Sequence, residues 1–258
     1  MRYAAIGDSF TEGMGDELPD GSVRGWADLV AGGLAAATGE PVHYANTAVR
    51  GRLLAPVVAD QLPAVLALDP PPTLITLKGG GNDVMRPGCD VDRLVELTAS
   101  AVRQCAAAGV RLVVVSGADP TARLPRGRTM HRRGVALTTA VAGLAARSGV
   151  TFVDVFADAE LRRPGYWSPD RLHLGPAGHR RVAGLVLHAL GRSGPVPALD
   201  PGPPEPRRLG TELRYHREHV LPWALRRVVR RSSGDGRTGR HRDWVLVPAG
   251  VATAEPGR

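Results

Sequence analysis

The sequence predicts an α/β fold, a three-layer α/β/α sandwich around a five-stranded parallel sheet. Three observations carry that expectation. Short apolar runs alternate with segments of helical periodicity from residue 2 to about residue 190. The runs are rich in Val, Leu and Ile, as strands covered on both faces require. Gly follows several of the helical segments, at the position where a left-handed residue ends a helix.

Taken in order, Tyr3-Ala4-Ala5-Ile6 is a brief apolar run stopped by Gly7-Asp8-Ser9, a buried strand feeding a loop. Residues 26–38 carry apolar side chains at helical spacing and stop at Gly39. Val42-His43-Tyr44-Ala45 reads as a second strand, and residues 53–68 as a helix that Pro63 kinks or interrupts. Thr73-Leu74-Ile75-Thr76-Leu77 lies between a Pro run and a Gly run and is the clearest strand. Residues 90–108 form a helix ending at Gly109, followed by the strand Arg111-Leu112-Val113-Val114-Val115. After a Pro/Arg/Gly loop over 119–129 come a helix over 131–147 and a fifth strand, Thr151-Phe152-Val153-Asp154-Val155. A last helix spans 176–190, with Pro176 in its first turn.

The expected organisation is a main domain over 1–191, a Pro-rich linker over 192–208 and a basic helical extension over 209–258. Six prolines fall between residues 194 and 206, and 209–231 has helical periodicity that Pro222 breaks or kinks. Residues 232–242 read as a Gly/Ser/Arg-rich loop. Of the 258 residues, 43% are hydrophobic and 22% charged, which permits a packed core and excludes wholesale disorder. The formal net charge of +8 is concentrated late: from residue 200 onward there are twelve arginines against seven carboxylates. Lys78 is the sole lysine. A basic tail is poor evidence that the main domain binds nucleic acid, and none is expected as a partner. Cys89 and Cys105 are expected to be free thiols in a reducing compartment. No apolar run approaches the roughly 18 residues of a membrane span, and no signal peptide precedes the first strand, so the expected location is cytoplasmic.

Open parallel sheets bind ligands outside the C-terminal ends of their strands. That rule brings together Ser9, the 46–51 loop, the 79–83 loop and the 170–173 loop. A serine hydroxyl becomes a useful nucleophile when a base takes its proton and the oxyanion is stabilised. Ser9 follows the first strand directly. In Asp170-Arg171-Leu172-His173 the spacing closes one turn, so Asp170 can hold the imidazole Nδ1 proton and leave Nε2 facing Ser9. Backbone N–H groups of Ser9 and Gly51, with the Asn82 side-chain amide, are the candidate oxyanion donors. Glu12, Tyr166 and Trp167 are candidates to line a substrate cleft. Asp8 and Asp83 read as loop-anchoring hydrogen-bond acceptors. His131, His179, His188, His216, His219 and His241 read as surface or helix-face residues. No G-x-S-x-G elbow, no P-loop and no metal-ligand motif is present, so neither cofactor nor metal is expected.

The set resembles the SGNH hydrolases, the GDSL esterase/lipase superfamily. Its first block is similar to Gly7-Asp8-Ser9-Phe10-Thr11-Glu12-Gly13, with Phe10 where Leu usually stands. The second resembles Asn46-Thr47-Ala48-Val49-Arg50-Gly51, the third Gly80-Gly81-Asn82-Asp83, and the last Asp170-Arg171-Leu172-His173. All four occur in order over about two thirds of the chain. The resemblance implies a serine esterase or lipase that cleaves carboxylic ester or thioester bonds of small or lipid-like acyl substrates through an acyl-enzyme. It does not reach the tail. There a second function class stays open: a binding protein whose basic helix, with Arg226, Arg227, Arg230 and Arg231, docks weakly on an anionic surface.

Overall fold

The computed structural model describes residues 1–124, 127–192, 196–202 and 234–250. Its strands are β1 (Arg2–Gly7), β2 (Val42–Asn46), β3 (Leu74–Lys78), β4 (Arg111–Val115), β5 (Thr151–Val153) and β6 (His241–Val247). The helices are α1 (Ser9–Glu12), α2 (Trp26–Thr38), α3 (Leu54–Pro56), α4 (Leu62–Leu66), α5 (Gly81–Val84), α6 (Val91–Ala107), α7 (Gly127–Ser148) and α8 (Pro176–Ala189). They build one sheet of order β5-β4-β3-β1-β2-β6, parallel from β5 to β2. The architecture is therefore the α/β sandwich read from the sequence, with one strand more.

Alternation along each strand divides the core in two. Tyr3 and Ala5 of β1 and Val113 and Val115 of β4 face α2 and α8, where they meet Leu29, Leu34, Val182 and Leu187. Ala4, Ile6, Ile75 and Leu77 face the opposite layer and pack with Leu62, Leu94, Cys105 and Val141. Each Val, Leu or Ile side chain among them, fully buried, contributes about 1.5–3 kcal/mol relative to exposure. Cys89 and Cys105 are both free. Burial pushes the Cys105 thiol up to about 11. Among the described residues no helix is long and apolar enough to cross a membrane.

Two departures from the sequence reading matter for function. Pro63 does not break its helix. A π turn over Val57–Gln61 joins α3 to α4, with the Leu62 N–H reaching back to the Val57 carbonyl. Pro63, lacking an N–H, falls in the first turn of α4, where none is needed. The wider turn swings Gln61 inward, and its amide clamps both polar groups of Gly7, accepting from the N–H (2.8 Å) and donating to the C=O (2.9 Å). π turns are frequent at functional sites, and this one grips the residue two before Ser9.

The second departure is β6. The five-stranded parallel sheet becomes six-stranded because residues 241–247 pair antiparallel with β2, Tyr44 opposite Val245. The extension over 209–258 is thus not a separate helical unit throughout. Val245 and Val247 pack into the α2/α8 core, and Trp244 packs into the other. Arg240 holds Asp28, in the first turn of α2, at 2.7 Å. A Cβ on Gly239 would collide with Thr47 and one on Gly234 with the Arg50 carbonyl, so the approach to β6 lies against the 47–50 backbone. The helix expected over 209–231 lies outside the described residues.

Candidate active site

β1 ends at Gly7, whose φ of 156° and contact with the Lys78 carbonyl and Thr11 leave no space for a Cβ. Asp8 then caps the short helix α1, its Oδ1 accepting from the Phe10 N–H at 3.1 Å. Ser9 is the first residue of that helix, so its N–H has no acceptor within the turn. From the loop that precedes α8, the His173 Nε2 lies 2.9 Å from Ser9 Oγ. His173 Nδ1 lies 2.5 Å from Asp170 Oδ2. The three side chains predicted to act together form one hydrogen-bonded line.

The turn that carries this pair is held from within. Asp170 Oδ1 accepts from the backbone N–H groups of Leu172 and His173, both at 2.9 Å, and from the Ser168 hydroxyl at 2.6 Å. Arg171 takes a left-handed conformation (φ 62°) so that the chain can fold around the carboxylate. Burial alone would raise the Asp170 pKa. The hydrogen bond and charge of His173, helped by the other donors, instead hold it well below the usual carboxylate range. An ionised Asp170 accepts only, so the proton sits on Nδ1 and Nε2 is left to accept from Ser9.

The second loop is fixed just as firmly. Asn46 donates to the Thr11 carbonyl and accepts from the Ala48 N–H, while the Val49 N–H reaches the Gly7 carbonyl. Residues 49–52 then turn, the Arg52 N–H bonding the Val49 carbonyl at 3.3 Å with Gly51 at φ 75°. A positive φ at the third position of such a turn selects Gly. Glu12 anchors it, accepting from the Arg50 N–H at 2.6 Å and from its guanidinium at 2.9 and 2.5 Å. Among the described residues the N–H groups of Ser9 and Gly51 have no acceptor. Asn82, in α5, donates to the Arg52 carbonyl at 2.9 Å, its Nδ2 lying 3.5 Å from Asp8 Oδ2. Asp83 accepts from the Leu54 N–H at 3.0 Å; burial, with the nearby Asp8, raises its pKa.

Three sequence-predicted contacts fall elsewhere. Both oxygens of Glu12 are taken by Arg50, so it braces a loop instead of facing a cleft. Trp167 and Tyr166 are buried core residues. Trp167 donates to the Leu161 carbonyl, and Tyr166 accepts the Gly175 N–H, which ties down the two ends of the 168–173 turn. His179 is fully buried, not on a surface: its Nδ1 accepts the Trp26 N–H at 3.1 Å and its Nε2 donates to the Met14 carbonyl at 3.0 Å. Burial lowers its pKa, so the ring is neutral.

Two residues of the site were not anticipated. Gln61 has no sequence signal short of recognising the π turn. Lys78 has one: the sole lysine stands at the end of a strand that is buried along its whole length, and its ammonium lies 2.8–2.9 Å from both oxygens of Asp8.

The model of the GDSL-like Lipase/Acylhydrolase family matches residues 5–181. No curated protein matches the chain at comparable significance. Among solved structures, the acetylxylan esterase Axe2 of Geobacillus stearothermophilus is 22% identical, covers 74% of this chain and 94% of its own, and has a TM-score of 0.59. TesA is 23% identical over 74% of this chain and 98% of its own, with a TM-score of 0.58. The psychrotrophic esterase EstA of Pseudoalteromonas sp., inhibited by monoethylphosphonate, is 16% identical over 74% and 96%, also at 0.58. At these identities the likeness is one of fold.

Proposed function

The chain belongs to the GDSL-like lipase/acylhydrolase family, and from that membership we propose a serine hydrolase that cleaves carboxylic esters through an acyl-enzyme on Ser9. The observation that carries the reading is the unbroken line from Ser9 Oγ through His173 to Asp170, at 2.9 and 2.5 Å.

Ser9 Oγ attacks the ester carbonyl as His173 Nε2 takes its proton, and Asp170 stabilises the imidazolium that forms. The carbonyl oxygen becomes an oxyanion. The N–H groups of Ser9 and Gly51 are its donors, since neither has an acceptor among the described residues, and the second hydrogen of the Asn82 amide is the third. Collapse expels the alcohol, which leaves with the proton from His173. Water then repeats the sequence on the acyl-enzyme and releases the acid and free Ser9. Acetyl esters of sugars are substrates to try first, since the structurally similar Axe2 is an acetylxylan esterase; simple p-nitrophenyl esters of rising chain length report the acyl preference.

The test is covalent. An aryl alkylphosphonate is expected to add its phosphonyl mass to one peptide, that of Ser9, and to abolish ester hydrolysis in proportion. Hydrolysis that persists in the fully phosphonylated protein, or a label on another residue, overturns the assignment.

A further inference from the structure

Lys78 lies beneath the nucleophile loop and has no part in the mechanism above. It is 5% exposed, and Asp8 is 2% exposed. The ammonium touches both carboxylate oxygens and sits 5.0 Å from the centroid of the Phe10 ring. A Cβ on Gly81 would stand 3.0 Å from Nζ, and one on Gly117 3.4 Å from Cε. The cage admits a compact ammonium on a slim stem and excludes the broad guanidinium used at every other basic position but histidine in this chain.

Asp8 is adjacent in sequence to the nucleophile, and its Oδ2 lies 3.5 Å from the Asn82 amide nitrogen. One hydrogen of that amide is committed to the Arg52 carbonyl. The other has two claimants, the Asp8 carboxylate and an oxyanion on the substrate. A buried, unpaired carboxylate would win that hydrogen and would also repel the negative charge that develops beside it. With Lys78 only 2.8 Å away, Oδ2 is already satisfied and its charge offset. We propose that Lys78 is a positioning residue for the oxyanion hole: by sequestering Asp8 it leaves the Asn82 amide free to serve the transition state. This rests on the reading of Ser9 and Asn82 given under Proposed function.

The experiment is a charge cycle. Lys78→Met removes the ammonium and keeps the bulk; Asp8→Asn/Lys78→Met removes both charges and keeps a side chain able to cap α1. Lys78→Met is expected to lower kcat by about 10-fold to 10²-fold with KM within about 2-fold, because the loss falls on the transition state. The double variant is expected to recover most of that loss, an outcome that lost packing alone does not give. Should Lys78→Met fail to fold, Lys78→Gln takes its place in both the single and the double variant, with the same direction of loss and recovery expected. A fully active Lys78→Met, or a double variant as impaired as the single one, overturns the proposal. Ser9→Ala is run in parallel. If it is dead while Lys78→Met is fully active, only the role of Lys78 falls; if Ser9→Ala turns over normally, the catalytic reading itself falls.

Discussion

The two halves of the proposed catalytic site are built by opposite means. The base half, 168–173, holds itself: every partner of Asp170 named above lies within three residues of it. The nucleophile half is held by strangers in sequence. Gly7 is clamped by Gln61, 54 residues away, Asp8 by Lys78, 70 away, and the Gly51 turn by Glu12, whose partner Arg50 is 38 away. A local turn suffices for the general base we propose, because His173 needs only one orientation. The proposed oxyanion donors, drawn from three separate strand ends, need the whole sheet to agree first.

The largest break in that comparison removes its meeting point. Ser9→Ala and His173→Ala are each expected to lower kcat by about 10³-fold or more, and the double variant no further, as the proposed single catalytic unit requires. Asn82→Ala is expected to cost about 10²–10³-fold in kcat with little change in KM. Steady-state kinetics on purified variants checks both, and multiplicative losses in the double variant would contradict the first.

A milder pair sharpens the comparison by cutting one brace in each half. Glu12→Ala releases Arg50 and the Gly51 turn, and is expected to lower kcat by on the order of 10-fold to 10²-fold, because a small misplacement of a donor is costly. Ser168→Ala leaves Asp170 its two backbone donors and is expected to stay within about 3-fold of the parent. Equal losses in the two would mean that the local turn is no more self-sufficient than the assembled loops.

The smallest effect concerns stability. His179 is neutral in the folded chain because burial lowers its pKa, whereas the unfolded chain takes up that proton below about pH 6.5. Its contribution is complete above that pH and declines as the pH falls, since the unfolded state then binds more protons. His241 is shifted the same way by burial and by Arg240. Melting temperature is therefore expected to drop by a few degrees between about pH 7 and pH 5, with a shallower slope in His179→Asn. Identical slopes would remove His179 from the account.

Legibility in the sequence follows the same division. The five parallel strands announce themselves as apolar runs. In Asp170-Arg171-Leu172-His173 the contact between the two end residues could be expected because it is a matter of spacing. Ser9, Gly51 and Asn82 could be gathered because strand ends converge at one edge. What stayed hidden depends on distant pairing. Glu12 looks like a free carboxylate beside a nucleophile until Arg50 is placed against it. Tyr166 and Trp167 look like cleft aromatics until the core closes over them. β6 begins His241-Arg242-Asp243, a charged stretch whose partner strand lies near the other end of the chain.

That last pairing puts a clock on biosynthesis. Asn46 and its partner His241 are separated by about 195 residues. At about 5–20 residues per second, β2 leaves the ribosome roughly 10–40 s before the strand that covers it. During that interval the chain can lay down β1 to β5, yet Val42 and Tyr44 wait with one flank bare, and the loop that bears Gly51 waits with them. An unpaired strand flank is where nascent chains stick to one another, so the residues that complete the sheet also cover that flank.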